Sequence, residues 1–230
     1  MDWVSFYDFK HSVIYVNARH RDVHYRKIAE DIRAYVPGQN ARVLDYGCGE
    51  AASANLIADA SGHLTMVEAA PNVRAALAAR HAGDSNISVF TPEQTAAQGD
   101  ASYDLIVMHS VAQYLSAAEL DKLLALFRRL VRPSGTVIIG DVVPPQLSAP
   151  AAAFTLLRFG AENGFFWAAL GGLMRIFVSG YLRLRKSIGL SHYEEAAMLD
   201  KLKAAGFSAQ RASRNIGHNP WRMTFLAKPA

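Results

Sequence analysis

The stretch Arg42-Val43-Leu44-Asp45-Tyr46-Gly47-Cys48-Gly49-Glu50 constrains the fold more than any other part of the chain. Val43 and Leu44 are apolar and β-prone, and read as a strand buried in a sheet. Asp45 ends that strand. Gly47 and Gly49 lack a Cβ, so backbone at this turn can come close to a ligand. The small, helix-favouring run from Ala51 to Ala58 predicts a helix from about Glu50. Strand, glycine turn and helix form the first unit of a nucleotide-binding α/β sheet. In such sheets ligands lie beyond the carboxyl ends of the strands.

Gly47-x-Gly49-x-x-Ala52 also fits the looser dinucleotide fingerprint. Asp45 separates the two readings, because a carboxylate beside the turn repels a pyrophosphate and attracts a cationic amino-acid ligand. The segment Leu44 to Glu50 resembles motif I of the class I S-adenosylmethionine (SAM)-dependent methyltransferases. That resemblance implies SAM as methyl donor, S-adenosylhomocysteine as product, and Asp45, Tyr46, Gly47 and Gly49 at the cofactor. The rival readings are an NAD-type dehydrogenase and a catalytically silent SAM- or nucleoside-binding partner subunit.

The rest of the chain extends the pattern. A helix is predicted over Asp22 to Tyr35, ended by Pro37-Gly38. His63 to Glu68 reads as a second strand with an acidic end. Glu68 follows Gly49 by 19 residues, the spacing at which an acid reaches the ribose hydroxyls of a nucleoside. Ala69 lies beside it. Pro71 opens a helix to about Arg80. Asn86 to Phe90 is a third strand, followed by the capping box Thr91-Pro92-Glu93-Gln94. In the methyltransferases this turn often carries an Asp or Asn that reads adenine. Thr91 and Pro92 stand there in this chain, so Glu93 or a backbone group is the expected substitute.

Tyr103 to Met108 is a fourth strand, ending in His109-Ser110 beside the expected cofactor. His109 is the best-placed general base, and Tyr114 the second catalytic candidate. Asp141, His20, His24 and Tyr25 could also reach the pocket. His20 and His24 share a helical face, but no Glu lies between them and no third ligand is evident, so no metal is expected. A second capping box begins at Ser116, a fifth strand covers Thr136 to Ile139, and a third box at Ser191 precedes a helix over Glu195 to Ala205. Phe207 to Ala212 and Trp221 to Ala227 make a closing hairpin, which places an antiparallel strand in the sheet and also resembles the methyltransferases.

The expected fold is therefore α/β: a doubly wound, seven-stranded, mostly parallel, Rossmann-like sheet with a terminal antiparallel strand. One domain, 1–230, is expected, with an N-terminal lid and helix over 1–38 and a helical cap insert over 142–190, before the last helix. The insert carries Phe154, Leu157, Phe159, Phe165, Phe166, Trp167, Leu170, Met174 and Phe177. This points to a small-molecule, partly apolar acceptor, with the methylated atom (O, N or C) left open. The segment 165–186 has an apolar face and a basic margin at Arg175, Arg183, Arg185 and Lys186. It suits a peripheral membrane contact and is too short to span.

Composition narrows the partners. A net charge of +4 is a mild excess. His109-Ser110-Val111-Ala112 lacks the Asn/Asp-Pro-Pro-aromatic pattern of base-modifying relatives, so nucleic acid is not the expected substrate. Cys48 is the sole cysteine, which fits a reducing cytoplasm. The first ten residues lack a basic and an apolar region, so no signal peptide is expected. Monomer and homodimer are both compatible.

Overall fold

The computed structural model describes residues 15–178 and 190–230, together with Val4 and Asp8. Seven strands form one sheet in the order β3-β2-β1-β4-β5-β7-β6. They are β1 (Arg42–Tyr46), β2 (His63–Val67), β3 (Ile87–Phe90), β4 (Tyr103–His109), β5 (Val131–Val142), β6 (Phe207–Arg211) and β7 (Met223–Pro229). The first five run parallel, and β7 pairs antiparallel with both β5 and β6. This is the seven-stranded, mostly parallel sheet expected from the sequence.

Successive residues of β1 face opposite sides, and each side has its own core. Leu44 packs with Leu120, Leu124 and Phe127 of α5 (Ala117–Leu130) and with Met198 and Leu202 of α8 (Glu195–Ala204). Val43 packs with Ile32 of α1 (Ala18–Arg33), Ile57 of α2 (Asn55–Ala58) and Leu77 of α3 (Pro71–Arg80). Burial on both faces is why Val43-Leu44 in β1 and Leu105 to Met108 in β4 are unbroken apolar runs. Three helices begin where the sequence marks them: Pro71 opens α3, and α4 (Pro92–Ala96) and α5 carry the reciprocal boxes at Thr91 and Ser116. α1 begins ahead of the expected Asp22, because Asn17 caps it by accepting from His20 N–H, and it ends at Arg33 rather than Tyr35.

Three more local expectations are corrected. The helix after the glycine turn does not start at Glu50; α2 covers only Asn55–Ala58. Gly47, Gly49 and Ala51 have φ of 75°, 62° and 41°, and a right-handed helix cannot contain such residues. The box at Ser191 does not form either. The cap of α8 is Glu194, without a side-chain bond, because the Ser191 hydroxyl donates to the Leu115 carbonyl and its N–H to the Gln113 carbonyl. Strand five is longer than expected. It takes up Pro133-Ser134-Gly135 as an irregularity between the pairs Tyr103↔Val131 and Leu105↔Thr136.

The insert forms α6 (Ala149–Asn163) and α7 (Phe166–Val178). Ser148 caps α6, and Gly164, with φ of 74°, ends it. Phe159, Phe165 and Ala169 form a third, smaller core with Val16 and with Val23 of α1. The insert is thereby fixed to the N-terminal helix. Trp3, Phe6, Tyr7, Phe9 and His11, and likewise Arg183, Arg185 and Lys186, lie outside the described residues, as do the side chains of Arg175 and Phe177. Among the described residues, no helix is long and apolar enough to cross a membrane.

Candidate cofactor and acceptor site

The glycine turn is tied to the end of β2. Gly47 N–H and Cys48 N–H both donate to the Val67 carbonyl, at 2.8 and 3.2 Å. Gly49 N–H donates to Glu68 Oε2 at 2.9 Å, and Ala70 N–H to Glu68 Oε1 at 2.8 Å. Each carboxylate oxygen thus keeps a lone pair for a further donor. Burial raises the Glu68 pKa, while the bonds from Ala70 and Gly49 oppose the rise. Gly47 must be glycine for two reasons. Its φ is left-handed, and a Cβ would stand 2.4 Å from Val111 Cγ2. Tyr25 of α1 reaches over the turn, its hydroxyl accepting from Glu50 N–H at 3.0 Å.

Asp45 is 8% exposed, and among the described residues its carboxylate has no hydrogen bond and no ion pair. Burial, then the neighbouring Glu68, push its pKa up to about 7. Two buried acids at one turn, with Arg74 beside Glu68 but no cation at Asp45 among the described residues, fit a ligand that brings positive charge and hydroxyl donors together. SAM is such a ligand. The turn's amides are already engaged by Val67 and Glu68, and a pyrophosphate would meet the acids instead.

The remaining predicted residues divide into two groups. Tyr46 packs edge-on against Phe127, with its hydroxyl pKa raised by burial, then by Glu93 and Glu68. Ala69 is exposed beside Glu68, and Glu93 is exposed in the first turn of α4, behind Thr91 and Pro92. These residues line the β1–β3 side. His109, Ser110 and Tyr114 belong to the β4 side. His109 Nε2 donates to the Ile216 carbonyl at 3.2 Å, and its Nδ1 lies 3.1 Å from the Ser110 hydroxyl. Burial lowers the His109 pKa, so the ring is neutral near pH 7. Tyr114 lies in a half-buried 3₁₀ turn, Ala112–Tyr114.

A buried polar network closes this side. Asp141 accepts from the Ser110 hydroxyl at 2.5 Å, from Asn215 Nδ2 at 3.2 Å and from Arg222 Nη1. Burial alone would raise the Asp141 pKa. Arg222 first, then His109 and the bonds from Ser110 and Asn215, outweigh it and bring the value to about 2. Ser110 and Asp141 have φ of 60° and 63°, a left-handed conformation that non-glycine residues adopt at a cost, here at adjacent strand ends. Neither Asn215 nor Arg222 was legible as a site residue. The sequence shows the turn residues Asn215, Gly217, Asn219 and Pro220, but not that this loop folds onto β5 from 74 residues away.

Above the network stands a cluster of imidazoles. His20 and His24 come from α1 and His218 from the loop between β6 and β7, with ring centroids 5.6 to 6.3 Å apart. His20 stacks on Phe165 at 4.9 Å, and His218 on Phe159 at 4.2 Å. Burial brings the pKa of His20 and of His218 to about 4 and that of His24 well below its ordinary value. His24 Nδ1 is shut off from solvent with no hydrogen-bond partner among the described residues, a state that costs about 1 to 3 kcal/mol. Among the described residues no three His, Cys, Asp or Glu are placed to hold a metal ion. Asp31, 4% exposed, fixes the loop to α1 by accepting from Lys27, Arg214 and Gly217 N–H.

A sheet in this order with β7 antiparallel, and an acid-clasped glycine turn after β1, define a Rossmann-like α/β domain of the methyltransferase type. The family described as Methyltransferase domain matches residues 43–135. The ubiquinone biosynthesis O-methyltransferase of Agrobacterium fabrum is 31% identical over 144 residues, which is 60% of this chain and 54% of that protein. The protein of the same name from Maricaulis maris is 28% identical over 80% of this chain and 65% of its own length. The chain thus spans between half and two thirds of the length of these curated relatives. The magnesium protoporphyrin IX methyltransferase of Synechocystis, solved with S-adenosylhomocysteine bound, superposes with a TM-score of 0.63 at 16% identity, over 100% of this chain and 96% of that one. Residues 43–135 thus match a methyltransferase domain, in a chain with the Rossmann-like methyltransferase fold.

Proposed function

We propose that the chain transfers the methyl group of SAM to an oxygen atom of a small or medium-sized, partly apolar organic acceptor. The observation that carries the cofactor part is the pair of buried acids at the glycine turn, Glu68 clasped by two amides and Asp45 without a cation among the described residues. Glu68 accepts the ribose hydroxyls, Asp45 lies toward the cationic amino-acid end, and Ala69, Thr91, Pro92 and Glu93 flank the base. His109 and Ser110 form the wall toward the acceptor, with Tyr114 beside them. SAM brings an already activated methyl group, so the chain's own task is to hold the acceptor atom in line with it and to exclude water.

Oxygen is favoured as the acceptor atom by the similarity to two O-methyltransferases, and an apolar acceptor by the aromatic residues of α6 and α7. The whole chain acts as one domain in this reading, with 1–38 as lid and 142–190 as cap. Incubation with methyl-labelled SAM and a cell extract split into lipid, polar-metabolite and nucleic-acid fractions tests it. Label is expected in the lipid or the polar-metabolite fraction, and label confined to nucleic acid defeats the proposal.

A peripheral membrane contact is favoured by one observation. Trp167 and Met174, seven residues apart on α7, are 80% and 65% exposed. An exposed apolar pair of this kind on one helix can enter a bilayer interface. Co-sedimentation with anionic vesicles at low and moderate salt tests this, and failure to pellet at either salt rejects it.

A further inference from the structure

Next to the imidazole cluster lies a cleft of about 380 Å³ between α1, α6 and the loop after β6. Its apolar walls are Phe154, Phe159, Pro220 and Trp221. Most of its polar side chains are already engaged. Lys27 pairs with Asp31, and Arg158 with Glu162. The Thr155 hydroxyl donates to the Ala151 carbonyl, and the Asn163 amide to the Phe159 carbonyl. His218 differs, since it lines the cleft and makes no hydrogen bond among the described residues. Its ring is held flat by the stack on Phe159, 14° from parallel. Its neighbour Gly217 lies against His109 Nε2, at the end of β4.

We propose that this cleft is the acceptor subsite and that it takes a planar aromatic or enolic group bearing a hydroxyl, with His218 accepting the hydroxyl's hydrogen bond. The flat aromatic walls select a flat ligand. Burial keeps the imidazole neutral, so one nitrogen is free to accept. A cationic ring would instead call for an anionic ligand, and Lys27 and Arg158 would serve that ligand only by giving up their carboxylates. The inference rests on the reading that this chain methylates oxygen, and it names the substrate class of that site. His218 is a binding residue in it, and no proton transfer is assigned to it.

The test uses β-naphthol and its methyl ether, which share the same ring system while only the first can donate. Binding of each is followed by fluorescence with S-adenosylhomocysteine present, and S-adenosylhomocysteine binding is measured separately. The intact chain is expected to prefer the naphthol. His218→Phe, which keeps the stack and removes the nitrogens, should weaken naphthol binding about tenfold, in line with one lost hydrogen bond. It should leave the ether and S-adenosylhomocysteine unchanged, and His218→Gln should recover part of the loss. Equal naphthol binding by the intact chain and His218→Phe overturns the proposal. So does a loss shared equally by both probes, which is the mark of a structural role. Loss of S-adenosylhomocysteine binding in the intact chain would defeat the methyltransferase reading alone, because the naphthol preference is read independently.

Discussion

Asp45 and Asp141 stand at the carboxyl ends of β1 and β5, both at least nine-tenths buried, and they titrate in opposite directions. Asp45 is raised to about 7 by burial and by Glu68. Asp141 is lowered to about 2 because Arg222, His109, Ser110 and Asn215 more than offset its burial. One end of the sheet leaves a carboxylate unpartnered among the described residues, and the other surrounds one with donors. The first is what the proposed cationic ligand would complete. The second holds the β6–β7 loop on the strand ends, beside His109 and His218. A buried acid without a partner marks a binding site; a buried acid with several marks a frame.

The contrast can be broken most strongly at the frame. Asp141→Ala leaves Arg222 buried without its carboxylate, and should cost about 3 to 5 kcal/mol of stability, measured by urea unfolding. A loss below 1 kcal/mol would show that the network is not the frame. Gly47→Ala comes next. It forces a side chain into a left-handed residue and into Val111, for an expected loss of about 2 to 4 kcal/mol. Shortening the opposing residue, in Gly47→Ala with Val111→Ala, should recover part of that loss. If it does not, the contact with Val111 is not the cause.

Glu68→Ala acts at the binding end. It should weaken SAM by about 1 to 3 kcal/mol, the range for hydrogen bonds to a charged group, and calorimetry checks it. An unchanged affinity would move the ribose site elsewhere.

A last test reads the pH dependence of stability. Folded Asp45 holds its proton up to about 7, while the unfolded chain releases it near 3.8. Between those values the folded state carries the extra proton, so this group's contribution to stability falls as pH rises and is flat above about 7. Asp45→Asn should remove that slope in the unliganded protein. Asp141 acts in the other sense, its contribution being present above 3.8 and lost as pH falls toward about 2. If stability between these limits is the same in Asp45→Asn as in the intact chain, Asp45 is not held protonated.

The same contrast explains what the sequence made legible. The binding end is local: Asp45, Gly47, Gly49 and Glu68 lie within 24 residues, and turn geometry with strand spacing is enough to place them. The sheet was equally readable, since buried parallel strands and capping boxes leave strong periodic and positional signals, as at Thr91 and Ser116. The proposed acceptor end is assembled from α1, β4, β5, the insert and the loop after β6. Groups up to 186 residues apart meet there, as the Asp31 carboxylate and Gly217 N–H do, and neither spacing nor composition encodes that contact. Ser191 shows the converse error. Its local pattern read as a cap, but its hydroxyl was taken by Leu115, on a turn the pattern could not see.

The central claim is that the two buried acids at the glycine turn, Asp45 and Glu68, receive SAM. Titration calorimetry of the intact chain with SAM, S-adenosylhomocysteine and NADH tests it most directly. Saturable binding of the first two and none of NADH is the expected result, with proton release near pH 6 that disappears in Asp45→Asn, because Asp45 must ionise to face the cation (the pH follows roughly from its raised pKa). Saturable binding of NADH without binding of SAM or S-adenosylhomocysteine would contradict it.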